Sequence, residues 1–129
     1  MHEQMTWTGK VEARLAQGQK TGLQLKKGDV ISVVASGYVR FGTLENQWAD
    51  PASAIPTHVH DGYDHKLVAL IGDDETHYPI GTGVLNWIVP SDGELTFLFV
   101  DTPNWYVDNS GAFDVTVIKQ KQVIVSFVN

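Results

Sequence analysis

The sequence predicts an all-β fold, a small β-sandwich. Valine, isoleucine and threonine together supply 33 of the 129 residues, and β-branched side chains favour strands over helices. Apolar and polar residues alternate in several short segments, as expected for strands with one buried face. Turn-forming residues separate these segments at intervals typical of two packed sheets, and no window of a dozen residues has a helical apolar stripe.

The first half of the chain contains three segments with this alternation. Strands are predicted over residues 11–15 and 21–25, where every second residue is apolar, and a turn follows at Lys27-Gly28-Asp29. A longer strand region is predicted from Val30 to Phe41, with a bulge or bend at Gly37. The apolar face of that region contains Ile31, Val33 and Ala35.

The second half repeats the pattern. A strand is predicted over 67–71, ending at Gly72-Asp73-Asp74, and another over 84–89, closed by Pro90-Ser91-Asp92-Gly93. Further strands are predicted over 94–100, 113–117 and 123–127, each with three apolar residues on one face. The intervening residues 42–65 lack a regular pattern and predict a long loop, the kind of segment that often carries binding residues.

Length and composition predict a single domain over residues 1–129, with 120–129 as a strand-like extension, because chains usually divide at about twice this length. Nine basic and fifteen acidic residues give a formal net charge of −6, which disfavours nucleic acid and anionic lipid as partners. The absence of cysteine excludes disulfides, thiolate metal sites and cysteine nucleophiles. With no export signal or long apolar run, we expect a soluble protein without membrane insertion, either cytoplasmic or released without a cleavable signal peptide.

The richest group of oxygen-bearing side chains lies in residues 101–111, between two predicted strands. Calcium takes about six to eight oxygen ligands from carboxylates, amides and carbonyls, and it tolerates irregular geometry. Asp101 and Asp108 would offset the charge of the ion, and Asn109 would add an amide oxygen. The same residue types also form ordinary turns, so the pattern alone is compatible with a calcium site or with a simple loop.

A second group, His58, His60 and His65, predicts an alternative function. On a strand, His58 and His60 would share a face and could bind a transition metal, as the His-x-His pair of cupin metalloenzymes does. Such a site needs a further histidine after its Pro-x-Gly turn. Here the residues that follow Pro79-Ile80-Gly81 are Thr82-Gly83-Val84-Leu85, and none of them is a histidine. Solvated loop histidines explain the group more simply. Motifs for nucleophilic catalysis are also missing, and we therefore expect a binding protein and not an enzyme.

The tryptophans divide between core and loops. Trp87 lies within a predicted strand and is expected in the core. Trp48 and Trp105 lie in the two long loops, where an indole can pack against the loop itself or form an apolar wall for a sugar ring.

Most of the chain resembles a known family, the calcium-dependent, galactose-binding soluble lectins of pseudomonads. The most specific match is Asp101-x-Pro103 followed by Asn109-Ser110-Gly111. The other matching segments are Gly28 to Ile31, Val34-Ala35-Ser36-Gly37-Tyr38 with Phe41-Gly42, Leu67-Val68 with Ile71-Gly72, and Thr82-Gly83.

The resemblance implies a jelly-roll-like β-sandwich, similar to galactose-binding domains, with one calcium ion at its edge. Two hydroxyls of a galactose-type glycan would bind the ion directly, and the protein would be a homotetramer or other homo-oligomer. The implied calcium ligands are the side chains of Asp101, Asp108 and Asn109 and the backbone carbonyls of Phe41 and Trp105. The implied sugar contacts are Asp101, Thr102 and Asp108.

The sequence departs from the family pattern in two places near this site. Asp108 stands where the family usually has asparagine, which adds a negative charge. The segment from Trp48 to Pro56 is about four residues shorter than the family's second sugar-contacting loop and lacks its His-Pro and Gln. Asp50 or His58 is the expected substitute contact for the sugar.

Overall fold

The computed structural model describes residues 5–43, 47–52 and 65–120, which contain ten strands and one 3₁₀ turn. The strands are β1 (Met5–Glu12), β2 (Gln19–Leu25), β3 (Val30–Ser36), β4 (Val39–Arg40), β5 (Trp48–Ala49), β6 (Leu67–Ile71), β7 (Asp74–Pro79), β8 (Gly83–Ile88), β9 (Gly93–Phe99) and β10 (Ser110–Lys119), and the 3₁₀ turn is Tyr106–Asp108.

The strands form two antiparallel sheets, which confirms the prediction of an all-β sandwich. One sheet has the order β5-β4-β10-β3-β8, with β1 also paired to β10, and the other has the order β2-β9-β6-β7. The long strand β10 is central to the first sheet, since it pairs with β1, β3 and β4. In the described residues, no helix is long and apolar enough to cross a lipid bilayer.

The core lies between the two sheets and uses the predicted alternation. Successive side chains on a strand point to opposite faces, so every second residue of β3, β9 and β10 reaches the interior. The buried residues on these strands are Ile31, Val33, Ala35, Leu95, Phe97, Phe99, Phe113, Val115 and Val117. Trp87, predicted as a core residue, is partly buried against this cluster and lies 5.4 Å from the ring of Tyr78.

The first strand differs from its predicted position. The alternation predicts a strand over residues 11–15, whereas β1 ends at Glu12 and the N–H of Leu15 donates to the carbonyl of Glu12 in a turn. Most of β1 therefore precedes the predicted segment. Gly9 interrupts the apolar pattern there because the ring of Trp7 lies across it; a Cβ at Gly9 would be 2.5 Å from Trp7 Cζ2.

Two further strands differ from the sequence predictions. The short strand β5 lies within residues 42–65, predicted as a long loop, and pairs with β4. The other is β7. Its sequence, Asp74–Pro79, is polar and no residue in it is fully buried, so the two-residue alternation that identifies a half-buried strand is absent. The strand is the edge of the four-stranded sheet, where polar residues and proline are common. The predicted turn at 72–74 is accordingly shorter, because Asp74 already belongs to β7. The predicted strand 123–127 and all of the predicted extension 120–129 except Gln120 lie outside the described residues.

Candidate functional site

Residues 101–109, which we call the acidic loop, connect β9 to β10. The first residues of β10 pair with β4, Ser110 opposite Arg40 and Gly111 opposite Val39. Phe41 follows β4 directly, so this pairing brings the segment that contains Phe41 to the end of the acidic loop. Two regions that are far apart in sequence therefore meet where β10 begins and β4 ends.

Tyr106 fixes the acidic loop from inside. Its side chain is buried, and its hydroxyl accepts a hydrogen bond from the backbone N–H of Asp101 at 2.8 Å and donates one to the carbonyl of Phe99 at 2.9 Å. A turn closed by the N–H of Trp105 and the carbonyl of Thr102 at 2.9 Å adds local structure. The loop thus has internal hydrogen bonds of its own.

Asn109 is fixed at the other end of the loop. Its side chain is buried, and Nδ2 donates to the carbonyl of Ala13 at 3.0 Å, while the N–H of Ala13 donates to the carbonyl of Gly111 at the same distance. With Nδ2 held in this way, Oδ1 is the remaining polar atom of the side chain. Oδ1 is buried and makes no hydrogen bond within the described part of the chain.

Asp101 is the most buried carboxylate of the loop, with 1% of its side chain exposed. Its Oδ1 accepts from the N–H of Thr102 at 2.7 Å and lies 3.3 Å from Nε2 of His65. Its Oδ2 is buried and, as far as residues 5–43, 47–52 and 65–120 are concerned, makes no hydrogen bond. An unsatisfied oxygen of this kind is unusual in a folded protein, where buried polar atoms are nearly always paired.

The surroundings of Asp101 favour its ionised form. Burial is the largest influence and raises the pKa of the Asp101 carboxyl, whereas three polar neighbours lower it. These neighbours are His65, the nearby amide of Asn109 and the backbone N–H of Thr102, and together they hold the pKa of Asp101 below its usual value of 3.8. The carboxylate is therefore negatively charged at neutral pH, next to the uncharged amide of Asn109.

His65 contacts this site, although the sequence predicts it only as a member of the alternative histidine group and not as a calcium or sugar ligand. Its ring stacks on Phe41 with a centroid distance of 3.8 Å and an angle of 12° between the ring planes. The same ring contacts Asp101. His65 thus links two of the five residues predicted as calcium ligands, and no feature of the local sequence indicates these contacts.

The remaining predicted residues divide between the loop surface and other places. Thr102, Trp105 and Asp108 are exposed on the acidic loop, with Trp105 64% exposed. Asp50 is partly buried, and its Oδ1 accepts from the N–H of Ala52 at 2.9 Å. The ring of Trp48 lies 4.7 Å beneath the guanidinium of Arg40.

Of the three histidines of the alternative hypothesis, the described residues include one, His65. His58 and His60 lie outside the described residues, and His65 packs against Asp101 and Phe41. In the described ranges, no three histidine, aspartate or glutamate side chains form a group that could hold a metal ion. Amide and carbonyl oxygens would therefore have to contribute to any metal site built on Asp101.

Comparisons with known proteins agree with the resemblance noted in the sequence. The family described as PA-IL-like protein matches residues 6–122. The chain is 46% identical over 112 residues to Lectin A of Photorhabdus laumondii subsp. laumondii, covering 87% of this chain and 90% of that protein. A solved structure described as the EclA N-terminal domain, a PllA-like lectin, has a TM-score of 0.79 and 35% identity, covering 88% of this chain and 96% of that one.

These relatives are lectins, so the protein is a carbohydrate-binding protein and not an enzyme. The predicted family and the non-enzymatic function are confirmed, and the cupin-like metalloenzyme does not fit this family. The chain belongs to the PA-IL-like family of bacterial lectins.

Proposed function

We propose that this lectin binds galactosides through a calcium ion held by the acidic loop. The observation that carries the proposal is the pair of buried oxygens, Asp101 Oδ2 and Asn109 Oδ1, which make no hydrogen bond within the described chain. Burying polar oxygens without a partner costs free energy, about 1–3 kcal/mol for each and more for a charged group. A cation that coordinates both atoms would remove that cost.

The donor set fits a hard cation. Calcium prefers carboxylate, amide and carbonyl oxygens and needs no nitrogen or sulfur. Asp101 supplies an ionised carboxylate and Asn109 an amide oxygen, each held by hydrogen bonds to neighbouring backbone. We propose that Asp108 and the backbone carbonyls of Phe41 and Trp105 complete the protein ligands. A bound calcium ion offers coordination positions that two neighbouring sugar hydroxyls can take in place of water.

The residues around this point would orient the sugar. Thr102 and Asp108 are exposed and directly follow Asp101 and precede Asn109, respectively, in the chain; we propose that they contact the sugar from the solvent side, and that Asp101 contacts it through its carboxylate. Specificity for galactosides would depend on which hydroxyl pair can reach the ion and the flanking hydrogen bonds together. We propose Asp50 as a further contact, because its carboxylate can accept from sugar hydroxyls; His58 is the other candidate.

We also propose that the lectin acts as a homotetramer or other homo-oligomer. A small, open sugar site gives micromolar to millimolar affinity, about 4–8 kcal/mol, and several linked sites raise the effective affinity for a glycan-bearing surface. The outer face of β3 and β8 carries three exposed apolar side chains, Val34, Leu85 and Ile88, which could pack against another copy. Sedimentation velocity tests this part, and a monomer at micromolar concentration would contradict it.

Calorimetric titration of galactose into the calcium-loaded and the EDTA-treated protein tests the calcium mechanism. We expect binding only with calcium, and Asp101→Asn should weaken calcium binding at least about tenfold, or 1.4 kcal/mol, because it removes the buried charge. Asp73→Asn, in the exposed turn between β6 and β7, is the matched control and should bind as the wild type does. Sugar binding that survives EDTA would refute the calcium mechanism. Calcium binding without galactose binding would refute only the choice of sugar.

A further inference from the structure

His65 has a backbone conformation that is uncommon for residues other than glycine. Its φ is 60°, in the left-handed region that residues with a Cβ seldom occupy. The position is held on both sides, because the N–H of His65 donates to the carbonyl of Val100 at 2.7 Å and the N–H of Val100 donates to the carbonyl of Lys66 at 3.0 Å. Glycine would adopt this conformation without strain, so a histidine side chain here calls for a local explanation.

The side chain contacts two residues of the proposed calcium site, Phe41 and Asp101, and its ring also stacks with that of Phe99 at a centroid distance of 6.0 Å. The imidazole is buried and lies flat against the ring of Phe41, which limits its rotation. Its Nε2 is 3.3 Å from Oδ1 of Asp101. Since an ionised carboxylate can only accept hydrogen bonds, Nε2 is the donor in this contact.

From these contacts we infer that His65 is a positioning residue that sets the orientation of the Asp101 carboxylate for calcium. The inference rests on the proposed function of the acidic loop. The backbone N–H of Thr102 and the imidazole of His65 both bind Oδ1, which fixes the carboxylate plane from two directions. Oδ2 is then the oxygen left for the ion, and it has no hydrogen bond within the described residues.

Such an arrangement is typical of metal sites. Groups that hydrogen-bond a ligating carboxylate keep it in the binding orientation, and removing one of them weakens metal affinity by about 10–100-fold. The stacking of His65 on Phe41 extends the effect to the segment whose carbonyl is proposed as a second ligand. His65 therefore contacts both the segment that contains Phe41 and the segment that contains Asp101. These two segments have to keep a fixed separation if they are to bind one ion.

Two substitutions separate the hydrogen bond from the backbone strain. His65→Leu and His65→Gln both keep a side chain at positive φ, but only glutamine retains an N–H donor. Calcium affinity is measured by calorimetry without sugar, at a temperature where circular dichroism shows each variant folded in EDTA. We expect His65→Leu to bind calcium about 10–100-fold more weakly than the wild type, and His65→Gln to recover much of that affinity. His77→Leu, a histidine substitution on β7, should leave the affinity unchanged.

The outcomes distinguish this inference from the proposed function. If the wild type binds no calcium, the calcium mechanism is refuted and the role of His65 falls with it. If the wild type binds calcium and His65→Leu binds it equally well, only the positioning role is refuted. Equal losses in the leucine and glutamine variants would also refute it, since the imidazole ring and not its N–H donor would then matter. Should His65→Leu not fold, His65→Gly provides the test, because glycine relieves the strain and also lacks the donor.

Discussion

The hydroxyl of Tyr106 is the best place to test whether the acidic loop is built as described, because one oxygen serves two buried backbone groups. Tyr106→Phe removes that oxygen and leaves the ring in place. The N–H of Asp101 and the carbonyl of Phe99 then lose the hydrogen bonds that they now make at 2.8 Å and 2.9 Å. An unsatisfied buried group costs about 1–3 kcal/mol, so the two together predict a loss of about 2–6 kcal/mol in the free energy of unfolding.

The same loss can be expressed as a melting temperature. Unfolding entropy is about 2.1 cal/mol/K per residue, or about 0.27 kcal/mol/K for a chain of this length, so 1 kcal/mol corresponds to about 4 °C. Tyr106→Phe should therefore melt about 7–22 °C below the wild type in EDTA.

Calorimetry and urea unfolding measure both quantities, and Tyr38→Phe is the matched control, since Tyr38 is 61% exposed and should shift stability by less than about 0.5 kcal/mol. Equal stabilities for the two variants would show that the Tyr106 hydroxyl does not hold the loop.

Two further predictions concern the core and the charge of the site. Phe113→Ala should lower the free energy of unfolding by about 3–5 kcal/mol, because Phe113 is fully buried and packs edge-on against Phe99 at 5.9 Å; a loss below about 1 kcal/mol in urea unfolding would contradict the described core. The lowered pKa of Asp101 means that its ionised form stabilises the fold above the usual value of 3.8, and that this contribution disappears as the pH falls through the lower folded-state pKa. In EDTA, the stability advantage of the wild type over Asp101→Asn should accordingly shrink as the pH falls through that range, and parallel pH profiles would contradict the prediction.

The sequence was informative where a residue's role depends on its neighbours in the chain. Alternation identified β3, β9 and β10 because each has one buried face, and Asp101, Asp108 and Asn109 were found because all three lie in a single loop. The polar edge strand β7 carries no such pattern, and Gly9 interrupts the pattern in β1. Local sequence signals therefore recovered the buried strands more completely than the exposed ones.

Contacts between distant residues could not be predicted in this way. Asn109 is held by a carbonyl 96 positions away, and His65 contacts Asp101 across 36 positions. Both contacts depend on the sheet pairing as a whole. The family resemblance supplied Phe41 as a candidate ligand, but it gave no indication of the stacked His65 beside it. The buried hydroxyl of Tyr106 likewise became apparent only in the folded chain.

The pairing of β1 with β10 has a consequence for how the protein folds. Eight residue pairs join these strands, and their partners are about 100 residues apart in the chain. Contacts at such separations form late and slowly, because the entropy of closing the intervening chain has to be lost first. During synthesis, β1 has no partner until β10 has been made, and β3 lacks its central neighbour for the same period. We expect the acidic loop, which immediately precedes β10, to become ordered in that same final step, so that a nascent chain acquires its binding site only on completing its fold.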